Sequence, residues 1–345
     1  MVSIRSRPPL IFAMPAGSDL PSGGNVYNRE LTLALAERAT VTLTTFARAN
    51  AALRAGECGI FLFDSLELDA TSALGAAAAD QMRLLIVHHL PSLEPAVRFE
   101  SSEVARENAA LSRFDGFVAT SDFTRELLVA RGVSENAILT VPPALPAIDA
   151  SPARAYEPPL AALLVANVIP RKGVLELLEA LGKIATAELG LSLRIVGRTD
   201  MDPDYVERCR RVLERSPALA TAARFDGPVP YERMGAIYDE AHLLVSASSM
   251  ETFGMAIHEA SAHGLPVVAV DGGHVRRHFT DGAVGVLCAA ASELAETLVE
   301  LARDPARMHV LCANAQESRE TTHYGWPEAA ERFLAELERV FYASA

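Results

Sequence analysis

The sequence predicts an α/β protein of two doubly wound lobes, and three observations carry that prediction. Short apolar runs alternate with stretches of helical spacing, the pattern left by parallel strands joined through βαβ crossovers. The stretch Pro142–Pro159, PPALPAIDASPARAYEPP, is proline-rich and aperiodic and reads as a linker. Beyond it the alternation starts again. With 345 residues, 50% hydrophobic and 22% charged, the chain can bury two cores, which excludes a disordered or fibrous class. No period of roughly 20–50 residues recurs, so a repeat array is excluded as well.

In the first lobe the predicted strands are Leu10–Met14, Val41–Thr45, Gly59–Phe63, Leu84–Val87, Gly116–Thr120 and Ile138–Val141. Tyr27–Arg38 and Phe123–Arg131 carry apolar residues at helical spacing. In the second lobe, strands Leu160–Ala166, Leu193–Val196, Ala223–Phe225, Leu243–Ser246, Val267–Val270 and Gly285–Cys288 are expected. Between them fall helices Leu175–Ala185, Pro203–Arg215, Tyr231–Asp239 and Gly254–Ala262, and helices fill the tail. The expected domains are 1–145, 146–320 and a terminal helical segment, 321–345. Open parallel sheets bind ligands beyond the carboxyl ends of their strands, so a cleft between the two sheets is the place to look for chemistry.

A formal charge of −13 sets a repulsive far field against a nucleic-acid backbone, and no nucleic-acid partner is expected. Local arginines and lysines can still hold a small anion. Cys58, Cys209, Cys288 and Cys312 show neither a CxxC nor a zinc spacing and read as reduced thiols. Pro8, Pro9 and Pro15 break the apolar run near the N-terminus, which argues against a signal peptide. No run reaches the roughly 18 apolar residues of a membrane span. A cytoplasmic protein is the expectation, with peripheral membrane contact left open.

Four motifs fall at predicted strand ends. PSGGN, Pro21–Asn25, puts Gly23 and Gly24 before a helix near Val26, where backbone N–H groups can approach an anion; a plain flexible loop is the alternative. His88 and His89 end an apolar strand, where an imidazole can meet a sugar hydroxyl or be only a polar terminus. NVIPRKG, Asn167–Gly173, offers Arg171 and Lys172 to a phosphate, or is a solvated basic pair. In SSMETFGMAIHEASAHGLPVV, Ser248–Val268, Glu251 precedes a helix opened by Phe253 and Gly254, and Glu259 lies inside it. Eight residues of helical rise separate the two carboxylates by roughly 10 Å or more, too far for both to act on one atom. That span suits an extended ligand with hydroxyls at both ends and a diphosphate between. Glu259 can also be a surface helix residue, but its apolar neighbours Ala256, Ile257, Ala260 and Ala262 point to burial, and a buried carboxylate needs a partner.

On Glu251–Phe253–Gly254–Glu259 and the following GLPVVA, Gly264–Ala269, the chain resembles retaining glycosyltransferase family 4, glycosyl transferases group 1, of the GT-B fold. The resemblance runs from the glycine loop to a helix containing Trp326, which in the family returns to the first lobe. It implies two Rossmann-like lobes with parallel sheets facing a central cleft. It also implies transfer of a hexosyl group from a nucleotide diphosphate sugar, UDP-sugar being preferred, with retained configuration and no metal or other cofactor. By resemblance, Glu251 meets donor sugar hydroxyls, Glu259 the ribose and Lys172 the diphosphate, while the Phe253 and Gly254 backbone meets the donor. Gly24, with Gly23, lies against the phosphates, His88 near sugar and acceptor, and Val229 near the nucleobase. The acceptor is an unassigned small molecule, glycan or lipid-linked species.

Two positions depart from the family pattern. Ala166 and Asn167 stand where the family keeps Gly-Arg, leaving Arg171 to compensate, and Gly272-Gly273-His274-Val275-Arg276 replaces Gly-Gly-x-Pro-Glu. These departures favour one rival, a noncatalytic nucleotide-binding or scaffold protein of the same fold. A sugar-nucleotide epimerase or a phosphorylase is another. A nicotinamide dehydrogenase fits less well, because PSGGN lacks the full GxGxxG.

Overall fold

The computed structural model describes residues 8–341 except 19, 21, 94–100, 147, 149–155, 185–188, 280 and 320–323. Pro21 of PSGGN, the middle of the predicted linker and Ala185 lie outside the described residues. The chain divides into two compact units, one comprising Met1–Leu20, Gly24–Pro146 and Tyr324–Ala345, the other Pro21–Gly23 and Ala147–His323.

The first unit runs β1 (Leu10–Met14), α1 (Gly23–Ala36), β2 (Val41–Thr45), α2 (Phe46–Arg54), β3 (Gly59–Asp64), β4 (Gln81–Val87), α3 (Ser101–Leu111), β5 (Gly116–Ala119), α4 (Asp122–Ala130) and β6 (Ile138–Thr140). The second runs β7 (Leu160–Val165), α5 (Val174–Ile184), β8 (Leu191–Val196), α6 (Pro203–Arg215), α7 (Pro217–Ala222), β9 (Ala223–Gly227), α8 (Tyr231–Asp239) and β10 (Leu243–Ser246). It continues through α9 (Met255–Ala262), β11 (Val267–Val270), β12 (Gly285–Cys288), α10 (Ala291–Arg303) and α11 (Pro305–Glu317), and α12 (Trp326–Phe341) closes the chain.

Each unit holds one six-stranded parallel sheet, ordered β2-β1-β3-β4-β5-β6 and β12-β11-β10-β7-β8-β9. Helices cover both faces, so inner strands such as β3, β5 and β11 are buried on both sides, while the edge strands β2 and β9 are partly exposed. In the first unit Leu10, Phe12, Ile60 and Leu62 point to one face, where they meet Tyr27, Leu31 and Leu35 of α1 and Phe333 of α12. Ile11, Ala13, Phe61 and Phe63 point to the other and meet Ala49, Leu53 and Leu128. The last helix is thus part of the first unit's core. Tyr27 stacks edge-on to Trp326 and donates its hydroxyl to the Val141 carbonyl, while Arg332 and Arg339 donate to the carbonyls of Thr140 and Ile138.

Counted from its own first strand, the first sheet runs 2-1-3-4-5-6 and the second 3-2-1-4-5-6. The order reverses between β1 and β3 in one and between β7 and β10 in the other. At such a switch the loops leave neighbouring strands in opposite directions and open a crevice. The predicted strands are all present. The helix expected from Tyr27 begins at Gly23, so both glycines lie within its first turn: the packing of Tyr27, Leu31 and Leu35 outweighs the roughly 1 kcal/mol that each glycine costs a helix. Gly254, expected inside α9, sits just outside it with φ +94°, a left-handed conformation that ends the preceding loop. The sequence pattern also passed over α2, which buries only Ala49 and Leu53 and is started by Thr45 accepting from Arg48 N. Among the described residues no helix is long and apolar enough to cross a membrane.

Candidate functional site

At the switch of the second sheet, the loops after β7 and β10 are joined backbone to backbone. Gly173, φ +65°, follows Lys172, and a Cβ there would lie 2.0 Å from the Ala247 carbonyl oxygen, a contact no side chain permits. Ser249 N and Oγ both bond to the Arg171 carbonyl at 3.2 Å. The β11 loop braces the other side: Glu251 bridges Gly273, Glu251 N reaches the Gly272 carbonyl at 3.4 Å, and His274 N donates to the Glu251 carbonyl at 2.8 Å. Cβ atoms on Gly272 or Gly273 would each lie 2.2 Å from a carbonyl oxygen, of Ser249 and Glu251 respectively.

This frame brings Lys172 Nζ to 2.5 Å from Glu251 Oε1, with side chains 18% and 12% exposed. Burial alone would raise the Glu251 carboxyl. The charges of Lys172 and Arg171, with hydrogen bonds from Lys172 and Ser248, outweigh it and hold the group below its ordinary range. Glu251 is therefore a carboxylate at neutral pH, flanked by two cations. Phe253 is buried next to it, stacked on His274 at 5.4 Å and edge-on to His258 and His278 at 5.3 and 4.9 Å. His278 Nε2 contacts the Phe253 carbonyl at 2.5 Å. Burial, with His278 and His274 nearby, pushes His258 down to about 4, so it serves this packing as a neutral ring. No side chain caps α9 after Gly254, which leaves its first N–H groups for another acceptor.

Glu259, on the next turns of α9, is buried and accepts from Tyr238 Oη at 2.5 Å through Oε2. Burial raises its carboxyl to about 7 although the Tyr238 bond opposes the shift. The partner that a buried carboxylate requires is thus supplied by α8. Val229, beyond β9, packs against the same apolar cluster as Tyr238. Asn167 does not present a charge. Its Oδ1 accepts from Arg198 N at 3.2 Å and ties together the loops after β7 and β8, while the Arg198 guanidinium is held by Asp200. Arg276, at the second departure, is paired with Asp271.

In the first unit His88 follows β4 and lies against α1, where a Cβ on Gly24 would approach its ring to 3.1 Å. His88 Nε2 is 3.0 Å from Asn28 Oδ1 and 3.5 Å from Asp64 Oδ2, and Asn28 Nδ2 donates to Asp64 Oδ2 at 2.5 Å. Burial lowers the imidazole's pKa, partly offset by Asp64. Ser65 Oγ accepts from the backbone N–H groups of both His88 and His89.

The structure therefore gathers Arg171, Lys172, Glu251, Phe253 and Gly254 at one switch point, sets Glu259 deeper on α9, and pairs Gly24 with His88 in the other unit. Asn28, Asp64, Tyr238, His258 and His278 escaped the sequence reading, which met His274 only as part of a departure from the family pattern. Asp64 carried a signal, as a lone acid ending an apolar strand. Tyr238 looked like any core aromatic at helical spacing. Among the described residues no group of three or more His, Cys, Asp or Glu side chains is arranged to hold a metal ion.

Residues 160–304 match the family model of glycosyl transferases group 1. The chain is 30% identical over 254 residues to D-inositol 3-phosphate glycosyltransferase 1 of Catenulispora acidiphila, covering 68% of this chain and 59% of that protein. It is 27% identical over 286 residues to the D-inositol 3-phosphate glycosyltransferase of Nocardia farcinica, covering 76% and 62%. Phosphatidyl-myo-inositol mannosyltransferase of Mycobacterium leprae is 33% identical over 175 residues, 50% of this chain and 44% of that one. The chain thus spans less than two thirds of the length of these relatives. Among solved structures, Anabaena HepE in complex with UDP-glucose has a TM-score of 0.76 at 17% identity, over 96% of this chain and 100% of that one. Sucrose-phosphate synthase from Thermosynechococcus elongatus has a TM-score of 0.72 at 20% identity, over 98% and 100%. These likenesses show the GT-B fold of two Rossmann-like units. Residues 160–304, which hold the whole of this site in the second unit, thus carry the pattern of the glycosyl transferases group 1 family.

Proposed function

We propose that this protein transfers a hexosyl group from a nucleotide diphosphate sugar to an acceptor hydroxyl, with retained anomeric configuration and without a metal or other cofactor. The carrying observation is the Lys172–Glu251 pair at the switch of the second sheet, an ionised carboxylate and an ammonium 2.5 Å apart on loops locked by glycine contacts. A diphosphate competes for Lys172, with Arg171 beside it, and so releases Glu251 for sugar hydroxyls. The Phe253 and Gly254 backbone and the uncapped start of α9 receive phosphate oxygens. Glu259 takes the ribose and Val229 the base. Gly23 and Gly24, at the start of α1, are assigned the phosphates, and His88 of the first unit, held by Asn28 and Asp64, the sugar and acceptor.

In this reading the leaving phosphate takes the acceptor's proton on the face it departs from, so no protein nucleophile is needed. The protein supplies fixed cations and N–H dipoles where negative charge grows. UDP is the preferred nucleotide, in keeping with the HepE structure containing UDP-glucose. D-inositol 3-phosphate and phosphatidyl-myo-inositol, named in the relatives, are the acceptors to try first. The test is a panel of UDP-, GDP- and ADP-sugars, scored for binding and for release of free nucleotide with and without acceptor. Binding by none of them would overturn the proposal, and binding without turnover under any acceptor would favour a noncatalytic relative.

A further inference from the structure

Glu259 is 9% exposed, yet only one of its carboxyl oxygens is engaged by protein. Oε2 accepts from Tyr238 Oη at 2.5 Å, and among the described residues no group donates to Oε1. Oε1 is not among the buried polar atoms left without a partner, so it is the carboxyl oxygen that reaches solvent and that a ligand can meet. Tyr238 is itself 1% exposed and packed in the cluster with Leu163, Val196, Leu244 and Ile257. Its ring stacks on His263 at 5.2 Å and 23°, and His263 Nδ1 is 3.0 Å from Asp239 Oδ1. The phenol thus has its direction set from behind by a residue at the far end of α9. Phenylalanine would fill the same space, so the hydroxyl is there for the carboxylate.

We propose that Tyr238 is a positioning residue for nucleoside recognition: by holding Oε2 of Glu259, it fixes the rotamer in which Oε1 is offered to a ribose hydroxyl. This rests on the assignment of Glu259 to the ribose. A phenol donating to a carboxylate also favours its ionised form, the form that accepts from two neighbouring hydroxyls. The titratable groups packed around this pair are Tyr231 and Asp239 from the α8 side and His263 at the end of α9.

The experiment is calorimetric titration of the whole protein with UDP, GDP and ADP from pH 5.5 to 8.5, on the parent, Tyr238→Phe, Glu259→Gln and the double variant. With the nucleotide that binds, Tyr238→Phe is expected to weaken affinity about tenfold at pH 7. It should also move upward the pH below which affinity falls. Glu259→Gln supplies the baseline, since it keeps the ligand's own phosphate titration and removes the carboxyl's. In the double variant, loss of the tyrosine should add nothing to loss of the acid. A purely structural role for Tyr238 would lower thermal stability and leave the pH midpoint in place, which overturns the proposal. Weakening by Glu259→Gln with none by Tyr238→Phe overturns the tyrosine's role alone. Unchanged affinity in Glu259→Gln, or no binding of any nucleotide, overturns the ribose assignment itself.

Discussion

The two units solve the same architectural problem with different polar wiring at their strand ends. In the first, Asn28 of α1, Asp64 and His88 meet in one triangle of neighbouring polar groups. In the second, Glu251 and Lys172 neutralise each other at a part-exposed mouth, and Glu259 keeps one oxygen unengaged. Buried polar groups that satisfy each other fix a geometry, and groups satisfied only in part are set for a partner still to come. The first unit thus holds one imidazole in place, and the second presents an array of charges.

The largest test of that contrast is Glu251→Ala, which should cost roughly 10³-fold in turnover while nucleotide diphosphate affinity changes little. Equal loss of both, with the fold intact, would mean that the sugar and nucleotide roles are not divided between the two glutamates. Next is Gly173→Ala, which drives a methyl into the Ala247 carbonyl from a left-handed backbone. A loss of about 3 kcal/mol in chemical denaturation is expected, with nucleotide binding impaired; a variant as stable as the parent would show that the two loops are not locked. Asp64→Asn keeps the shape of the triangle and removes its charge, so the His88 pKa falls further. Turnover should drop about tenfold with affinity for the free nucleotide diphosphate unchanged, because the nucleotide is assigned to the second unit's charges.

The smallest effect concerns pH. Glu259 holds its proton up to about pH 7 in the folded state but only to about 4.5 when unfolded. Between those values the native state binds more protons, so this group's contribution to stability is present below about pH 4.5 and is lost as pH rises through 7. Glu259→Gln should therefore gain stability relative to the parent across that window. Denaturation midpoints that track each other from pH 4.5 to 7.5 would show that Glu259 is better solvated than its burial implies.

Much of this was legible in the sequence, because strands buried on both faces leave continuous apolar runs, and the Leu10–Met14 and Val267–Val270 runs leave little choice. The glutamates and Lys172 could be placed at strand ends for the same reason. Strand order was not legible: nothing in the residues of β7 says that β10, rather than β9, lies beside it, and that pairing makes the switch point. The start of α1 was misread because glycine argues locally against a helix that distant packing stabilises. Tyr238 and Asn28 were invisible for a related reason, since their partners are 21 and 36 residues away and only the fold brings them together.

Gly173, Gly272 and Gly273 each lie against a carbonyl oxygen of the Ala247–Glu251 segment, backbone against backbone. For anyone redesigning the donor preference, this separates two kinds of position. The path of the loops is written in backbone and will not bear a methyl, whereas the exposed Arg276 side chain hangs from that path. Substitutions at Arg276 should therefore still yield folded protein, where a methyl on Gly173, Gly272 or Gly273 should not.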